Sequence, residues 1–163
     1  MKIGILSDTH DHLLLLRHCL QRFADMGVHT VIHAGDMCSP FMARAFKDHD
    51  FALHLIYGNN DGDLIALDRA FAPLKGIHHQ PLKLTLAKRR VIVMHQPFYL
   101  PEVAAADYDI VIYGHTHQQD IRQPTPGKWI INPGEACGVL SGKATAVVLD
   151  LARNTLTRVP LNA

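Results

Sequence analysis

Five short stretches carry side chains of the kinds that bind metal ions: Asp8-x-His10, Gly35-Asp36, Gly58-Asn59-x-Asp61, His95 and Gly114-His115-x-His117. Each follows directly on an apolar run. Carboxylates, an amide oxygen and imidazoles together suit borderline divalent metals such as manganese, iron, zinc or nickel. The glycines permit tight turns, so that short side chains can reach a common centre. Taken singly, each stretch has a plainer explanation. Asp-x-His serves as a helix cap, Gly-Asp and Gly-Asn as turn chemistry, and a histidine ending an apolar strand as a satisfied core residue. Five such stretches in one topological position argue for a shared role, because loops at the carboxyl ends of strands are where α/β sheets bind ligands.

The elements that must position them can be read from the apolar pattern. Ile3–Leu6 is a buried strand. Asp11 reads as the cap of a helix with apolar positions Leu13, Leu16, Leu20 and Phe23. Thr30–Ile32 is a second strand, and Ser39-Pro40 marks a helix start. Phe51–Tyr57 is a third strand, and Leu64–Phe71 a helix closed by Pro73 and Gly76. Leu82–Leu86 and Val91–Met94 are paired strands joined by Ala87–Arg90, a turn without the usual glycine. A short helix over Glu102–Ala106 precedes strands at Ile110–Tyr113, Trp129–Ile131, Ala144–Leu149 and Leu156–Val159. Strand and helix alternate in the first half and strands dominate the second. That predicts an α/β four-layer sandwich of two mixed β-sheets flanked by helices, in a single domain over 1–163.

The 163 residues carry a formal net charge of +1, with 48% hydrophobic and 19% charged residues. Nothing in that balance announces nucleic acid or an anionic membrane as partner. The three cysteines are odd in number and lack any C-x-x-C pairing, which favours a reducing compartment. No signal peptide and no membrane-length apolar run is present, so a cytoplasmic location is expected. Of the 12 histidines, His18, His29, His49, His54, His78 and His79 lack the strand-end placement. His12 lies close enough to His10 to line a pocket, and His33 to support the site from behind.

This order of motifs, from Ile3-Gly4-Ile5-Leu6-Ser7-Asp8-Thr9-His10 through Asn132-Pro133-Gly134, resembles the calcineurin-like metallophosphoesterase superfamily. The likeness is to its small single-domain phosphodiesterase branch in bacteria and archaea. The resemblance implies a fold with metals at the edge of a double sheet, as the pattern itself suggests. It implies one metal on Asp8, His10, Asp36 and His117 and a second on Asp36, Asn59, His95 and His115, with Asp36 bridging. Manganese is the first choice, with nickel, iron, zinc or magnesium as other candidates. The implied reaction is hydrolysis of a small phosphodiester, nucleotide-derived compounds among the candidates, by a hydroxide bridging the two metals. Homo-oligomers, dimers or tetramers, are implied as well.

Two departures matter. Many superfamily members read Gly-Asn-His-Asp, with the histidine protonating the leaving group. Here that place is taken by Asn60, which cannot be a general acid. Substrates with acidic leaving alcohols are then favoured, or His12 substitutes; Asn60, Asp61 and His12 are the candidate catalytic residues. The second departure is Glu135 after Asn132-Pro133-Gly134, where a serine often stands. Its expected effect is on turn geometry more than chemistry. Pocket walls are expected at Pro97–Glu102 and Arg122–Lys128. Two alternatives remain at this stage: a phosphomonoesterase or nucleotide hydrolase, and a non-catalytic protein-binding scaffold of the same fold, like the retromer subunit that resembles this branch.

Overall fold

A computed structural model describes residues 1–98 and 100–161. The chain begins with β1 (Lys2–Leu6), α1 (Leu13–Asp25), β2 (Thr30–His33), a 3-10 segment over Pro40–Phe46, β3 (Ala52–Leu55) and α2 (Leu64–Phe71). It continues through β4 (Leu82–Leu86), β5 (Arg89–Val93), α3 (Leu100–Ala105), β6 (Ile110–Ile112), β7 (Asp120–Thr125), β8 (Lys128–Asn132), β9 (Thr145–Asp150) and β10 (Thr155–Pro160). Two five-stranded sheets form, in the orders β10-β9-β1-β2-β3 and β4-β5-β6-β8-β7. Both are mixed. β1, β2 and β3 run parallel with β9 antiparallel to β1, while β5, β6 and β8 run parallel between antiparallel edges.

Period-2 alternation splits each central strand between two cores. In the first sheet Ile3, Ile5, Ile32, Val147 and Leu149 face the second sheet, where Val91, Val93, Ile110, Ile112 and Ile131 meet them. The opposite residues, Leu6, Val31, Ala146 and Val148, pack under α1, α2 and the 3-10 segment. On the far side of the second sheet Ile92, Val111 and Ile130 pack under Leu100, Val103 and Ala104 of α3. The result is the expected four-layer sandwich. The central strands of both sheets are buried on both faces, which is why they read as continuous apolar runs.

Local details differ from the sequence reading. His12, not Asp11, is the N-cap of α1; Asp11 instead accepts bonds from the N–H and hydroxyl of Ser39. Ser39-Pro40 starts a 3-10 segment rather than an α-helix, and the serine hydroxyl, donating to Asp11, makes no cap bond. The β4–β5 turn dispenses with glycine because Ala87 and Lys88 themselves take positive φ, 47° and 66°. The polar strand β7 has no counterpart in the sequence reading. It is an exposed edge strand pairing only with β8, so burial imposes no apolar period on it.

Candidate metal centre

The strand-end loops of the first sheet are tied together by their backbones. Asp8 N–H donates to the Gly35 carbonyl at 3.0 Å, and His10 N–H to the Asp36 carbonyl at 3.1 Å. Asp61 completes the lacing. Its carboxylate accepts the N–H groups of Asp36 at 3.2 Å, Cys38 at 2.6 Å and Gly58 at 2.6 Å. That places Asp61 as the holder of the turns; among the described residues its hydrogen bonds go to backbone. Asp8, His10, Asp36, His115 and His117 lie in left-handed backbone, with φ between 37° and 67°. Non-glycine residues hold such conformations at a cost of about 1–3 kcal/mol each, and they gather at functional sites.

Two glycines let the loops approach. A Cβ on Gly58 would overlap the Asp36 carboxylate, and one on Gly114 would overlap the Ser7 hydroxyl and lie 2.8 Å from Asp8 Oδ2. No side chain fits at either place. From the second sheet, buried Asn132 donates to the Gly114 carbonyl at 3.0 Å and to Thr116 Oγ1 at 2.9 Å, bracing the turn that carries His115 and His117.

All seven candidate ligands converge. Asp8 Oδ1 lies 3.8 Å from His10 Nε2 and 3.6 Å from His117 Nε2, and those two nitrogens are 3.3 Å apart. Asp36 Oδ2 lies 3.6 Å from His10 Nε2 and 3.3 Å from His95 Nε2, so it is common to two groups. Asn59 Oδ1 faces His95 Nε2 at 2.9 Å and His115 Nδ1 at 2.8 Å. Behind the ring, Asn60 donates its backbone and side-chain N–H groups to Asp36 at 2.8 and 2.7 Å. His12 is engaged elsewhere, its Nδ1 accepting the Leu15 N–H at 3.4 Å.

The protons on two of the rings are settled by what lies behind them. His95 Nδ1 is 2.7 Å from the Ala34 carbonyl and His117 Nδ1 is 2.7 Å from Glu135 Oε2; both partners only accept. Nδ1 therefore carries the hydrogen in each, and Nε2 turns a lone pair inward. Those lone pairs meet the carboxylate oxygens of Asp8 and Asp36 and the amide oxygen of Asn59. Asp8 Oδ1 is buried and has no hydrogen-bond partner among the described residues. A ring of inward acceptors calls for positive charge, and the donor set fits divalent ions.

The titration behaviour points the same way. Burial pushes the Asp8 carboxyl up. Burial also opposes charge on Asp36, but the bond from a doubly protonated His95 and those from Asn60 prevail and hold its carboxyl well below the usual range. Burial depresses His95, yet its bond to Asp36 and that residue's charge raise it overall. Positive charge between Asp36 and His95 is favoured, whether a proton or a cation supplies it. His33 is buried behind the loops, bonded to Thr9 Oγ1 at 3.1 Å and to Gly35 N–H at 3.2 Å; burial, with the nearby His95, lowers it to about 3.

Glu135 overturns the expectation that its effect is one of turn geometry. It is fully buried, and its carboxylate accepts the His117 ring N–H, the Cys137 thiol at 3.2 Å and the backbone N–H groups of Leu140 and Ser141. Burial opposes its charge, but these bonds bring the carboxyl down to about 2. The available signal was a lone acid within the uncharged stretch Trp129–Leu140. Of the expected pocket wall at Pro97–Glu102, Phe98 lines an apolar cavity of about 320 Å³ together with Val103, just beyond that segment, and Gln80, Met94 and Gln96, the last two flanking His95 in the chain. Tyr99, within the expected segment, lies outside the described residues. Residues 122–128 belong instead to the β7–β8 edge.

A family model for the calcineurin-like phosphoesterase superfamily domain matches residues 1–154. A phosphodiesterase of Methanocaldococcus jannaschii is 34% identical over 166 residues, which cover 99% of either chain. The solved structure of an archaeal phosphodiesterase superposes with a TM-score of 0.89 at 33% identity, over 98% of this chain and 99% of that one. YfcE, a phosphoesterase of E. coli, shares the fold at 21% identity, with a TM-score of 0.71 over 99% and 100% of the two chains. Vacuolar protein sorting 29 of Cryptosporidium parvum shares it at 16% identity, with a TM-score of 0.69 over 98% and 95%.

Proposed function

This chain belongs to the calcineurin-like phosphoesterase superfamily, and from that premise we propose that it is a metal-dependent phosphodiesterase acting on small phosphodiesters with acidic leaving alcohols. The observation that carries the reading is the inward ring of acceptors with the orphaned Asp8 Oδ1 at its floor. Asp8, His10, Asp36 and His117 would hold one divalent ion, and Asp36, Asn59, His95 and His115 a second, with manganese the first choice. Once bound, the ions supply Lewis acidity to phosphoryl oxygens and make a water nucleophilic near neutral pH.

The chain's own residues do the rest. Asn60 fixes the Asp36 carboxylate with two N–H groups, one to each oxygen, so the shared oxygen is preorganised rather than assembled on binding. The Ala34 carbonyl and Glu135 fix two imidazoles. Asn60 has no proton to give, and general-acid help is worth typically 10²–10⁴-fold, so the leaving alcohol must depart on its own acidity. That restricts the enzyme to diesters whose leaving group is a good one.

The test is turnover by metal-stripped protein of a chromogenic phosphodiester and its matching monoester, with Mn²⁺, Ni²⁺, Mg²⁺ or Zn²⁺ restored in turn and a His95→Ala variant alongside. Metal-dependent diester turnover that collapses in the variant is expected. Folded protein inert with every metal would sink the enzymatic reading and favour a binding scaffold.

A further inference from the structure

Among the described residues, one imidazole of the ring is backed by a carboxylate. His95 rests on the neutral Ala34 carbonyl, and His10 Nδ1 lies 3.5 Å from the Cys38 thiol. His117 alone donates to a buried acid, Glu135, at 2.7 Å. Its carboxylate also accepts the Cys137 thiol and the backbone N–H groups of Leu140 and Ser141, which hold it in place behind the ring.

We propose that Glu135 is a positioning residue that fixes the His117 ring and strengthens it as a ligand, so that the ion at Asp8, His10 and His117 is held more tightly than the ion at Asn59, His95 and His115. This rests on the metal-binding reading above. A carboxylate behind an imidazole locks the tautomer, holds the ring plane and raises the basicity of the opposite nitrogen, and losing such a partner typically costs 10–100-fold in metal affinity. The charge arrangement adds to this. Asp8 and Glu135 both belong to the His117 side, whereas the Asn59 side has a neutral amide and two imidazoles besides the shared Asp36. Removal with a weak chelator should therefore empty the two positions in order, the Asn59 side first.

The plainer role for Glu135 is to tie down the turn at Leu140 and Ser141, and the experiment must separate the two. Mn²⁺ affinity and stoichiometry are measured by chelator competition on wild type, Glu135→Gln, His117→Ala and the double variant, with circular dichroism of each in EDTA to establish folding. The expected result is two binding events in wild type, the tighter weakened 10–100-fold by Glu135→Gln, and no further loss when the same change is made on His117→Ala. An unchanged tight event, or an equal loss with and without His117, overturns the proposal. Wild-type protein that binds fewer than two ions fails the binuclear reading itself, and this inference with it. Should Glu135→Gln not fold, wild-type protein loaded with Zn²⁺ gives the answer: a slowly exchanging, hydrogen-bonded His117 Nδ1–H resonance supports the proposal, and its absence overturns it.

Discussion

The two sheets bring unlike chemistry to one seam. Loops of the first sheet deliver Asp8, Asp36 and Asn59, the oxygen donors, together with His10. Loops of the second deliver only imidazoles, His95, His115 and His117. The first set must gather charges that repel, and it does so with N–H groups aimed at carboxylates, as at Asp61 and Asp36. The second set must aim flat rings, and it does so with acceptors behind them, Ala34 O and Glu135. Neither sheet holds a complete site. The candidate centre lies where the sheets meet, which ties it to their packing.

The sharpest way to break this division is to remove one donor from each side. Asp36→Asn takes away the oxygen common to both groups, and metal-dependent diester turnover should fall below detection. His115→Ala removes a partly exposed ring from one group and should leave a reduced rate that higher Mn²⁺ partly restores. Initial rates over a Mn²⁺ series decide the order. Equal losses would mean that oxygen and imidazole donors contribute alike.

A smaller effect separates the two ways of holding the loops. Asp61→Asn sets an amide NH₂ against backbone N–H groups that a carboxylate had accepted. Unsatisfied buried groups cost about 1–3 kcal/mol and bonds to charged groups are worth about 1.5–3, so a loss of ~2–4 kcal/mol is expected by urea unfolding. Asn132→Ala on the second sheet removes neutral bonds to Gly114 and Thr116 and should cost less, ~1–2 kcal/mol. A reversed order would show that the imidazole loops are the more delicately held.

Acid should weaken the first sheet's side through His33. Burial lowers its folded-state value to about 3, while in the unfolded chain it titrates near its ordinary 6.5. Between those values the unfolded chain binds the extra proton, so stability falls as pH falls, by up to ~1.4 kcal/mol per pH unit. The loss begins near pH 6.5 and is complete below about 3. Urea midpoints of metal-free protein from pH 7 to 4 measure it, and His33→Gln should flatten the slope. An unchanged slope in the variant would assign the acid sensitivity to other groups.

What was legible in the sequence divides along the same lines. Buried strands write themselves as apolar runs, so β1, β2, β5, β6 and the residues that end them could be read directly, and with them the ring. The backing partners could not. Glu135 lies 18 residues from His117 and meets it only through the β8 crossover, a contact no local pattern encodes. Asp61 stood in a motif, but its bonds reach back 25 residues to Asp36, and only the folded loops show that it serves the backbone. The edge strand β7 was lost for the opposite reason: solvent asks no period of it.

The smallest predicted effect concerns His12, and it tests where the ring ends. Its Nδ1 lone pair accepts the Leu15 N–H at 3.4 Å, a long bond at the start of α1. A side chain occupied in this way caps a helix, and with Nδ1 accepting, only its Nε2–H could serve a departing oxygen. His12→Ala should therefore cost no more than ~0.5 kcal/mol, the low end for a cap, and leave diester turnover unchanged for good and poor leaving groups alike. The leaving-group series is the informative half. If the variant slows only the diesters of weakly acidic alcohols, His12 reaches the departing oxygen, and the boundary between the chemistry and the helix that follows β1 must be redrawn to include it. If every diester reacts as before, the acid is truly missing. The first sheet then contributes charge and position to the seam and no proton.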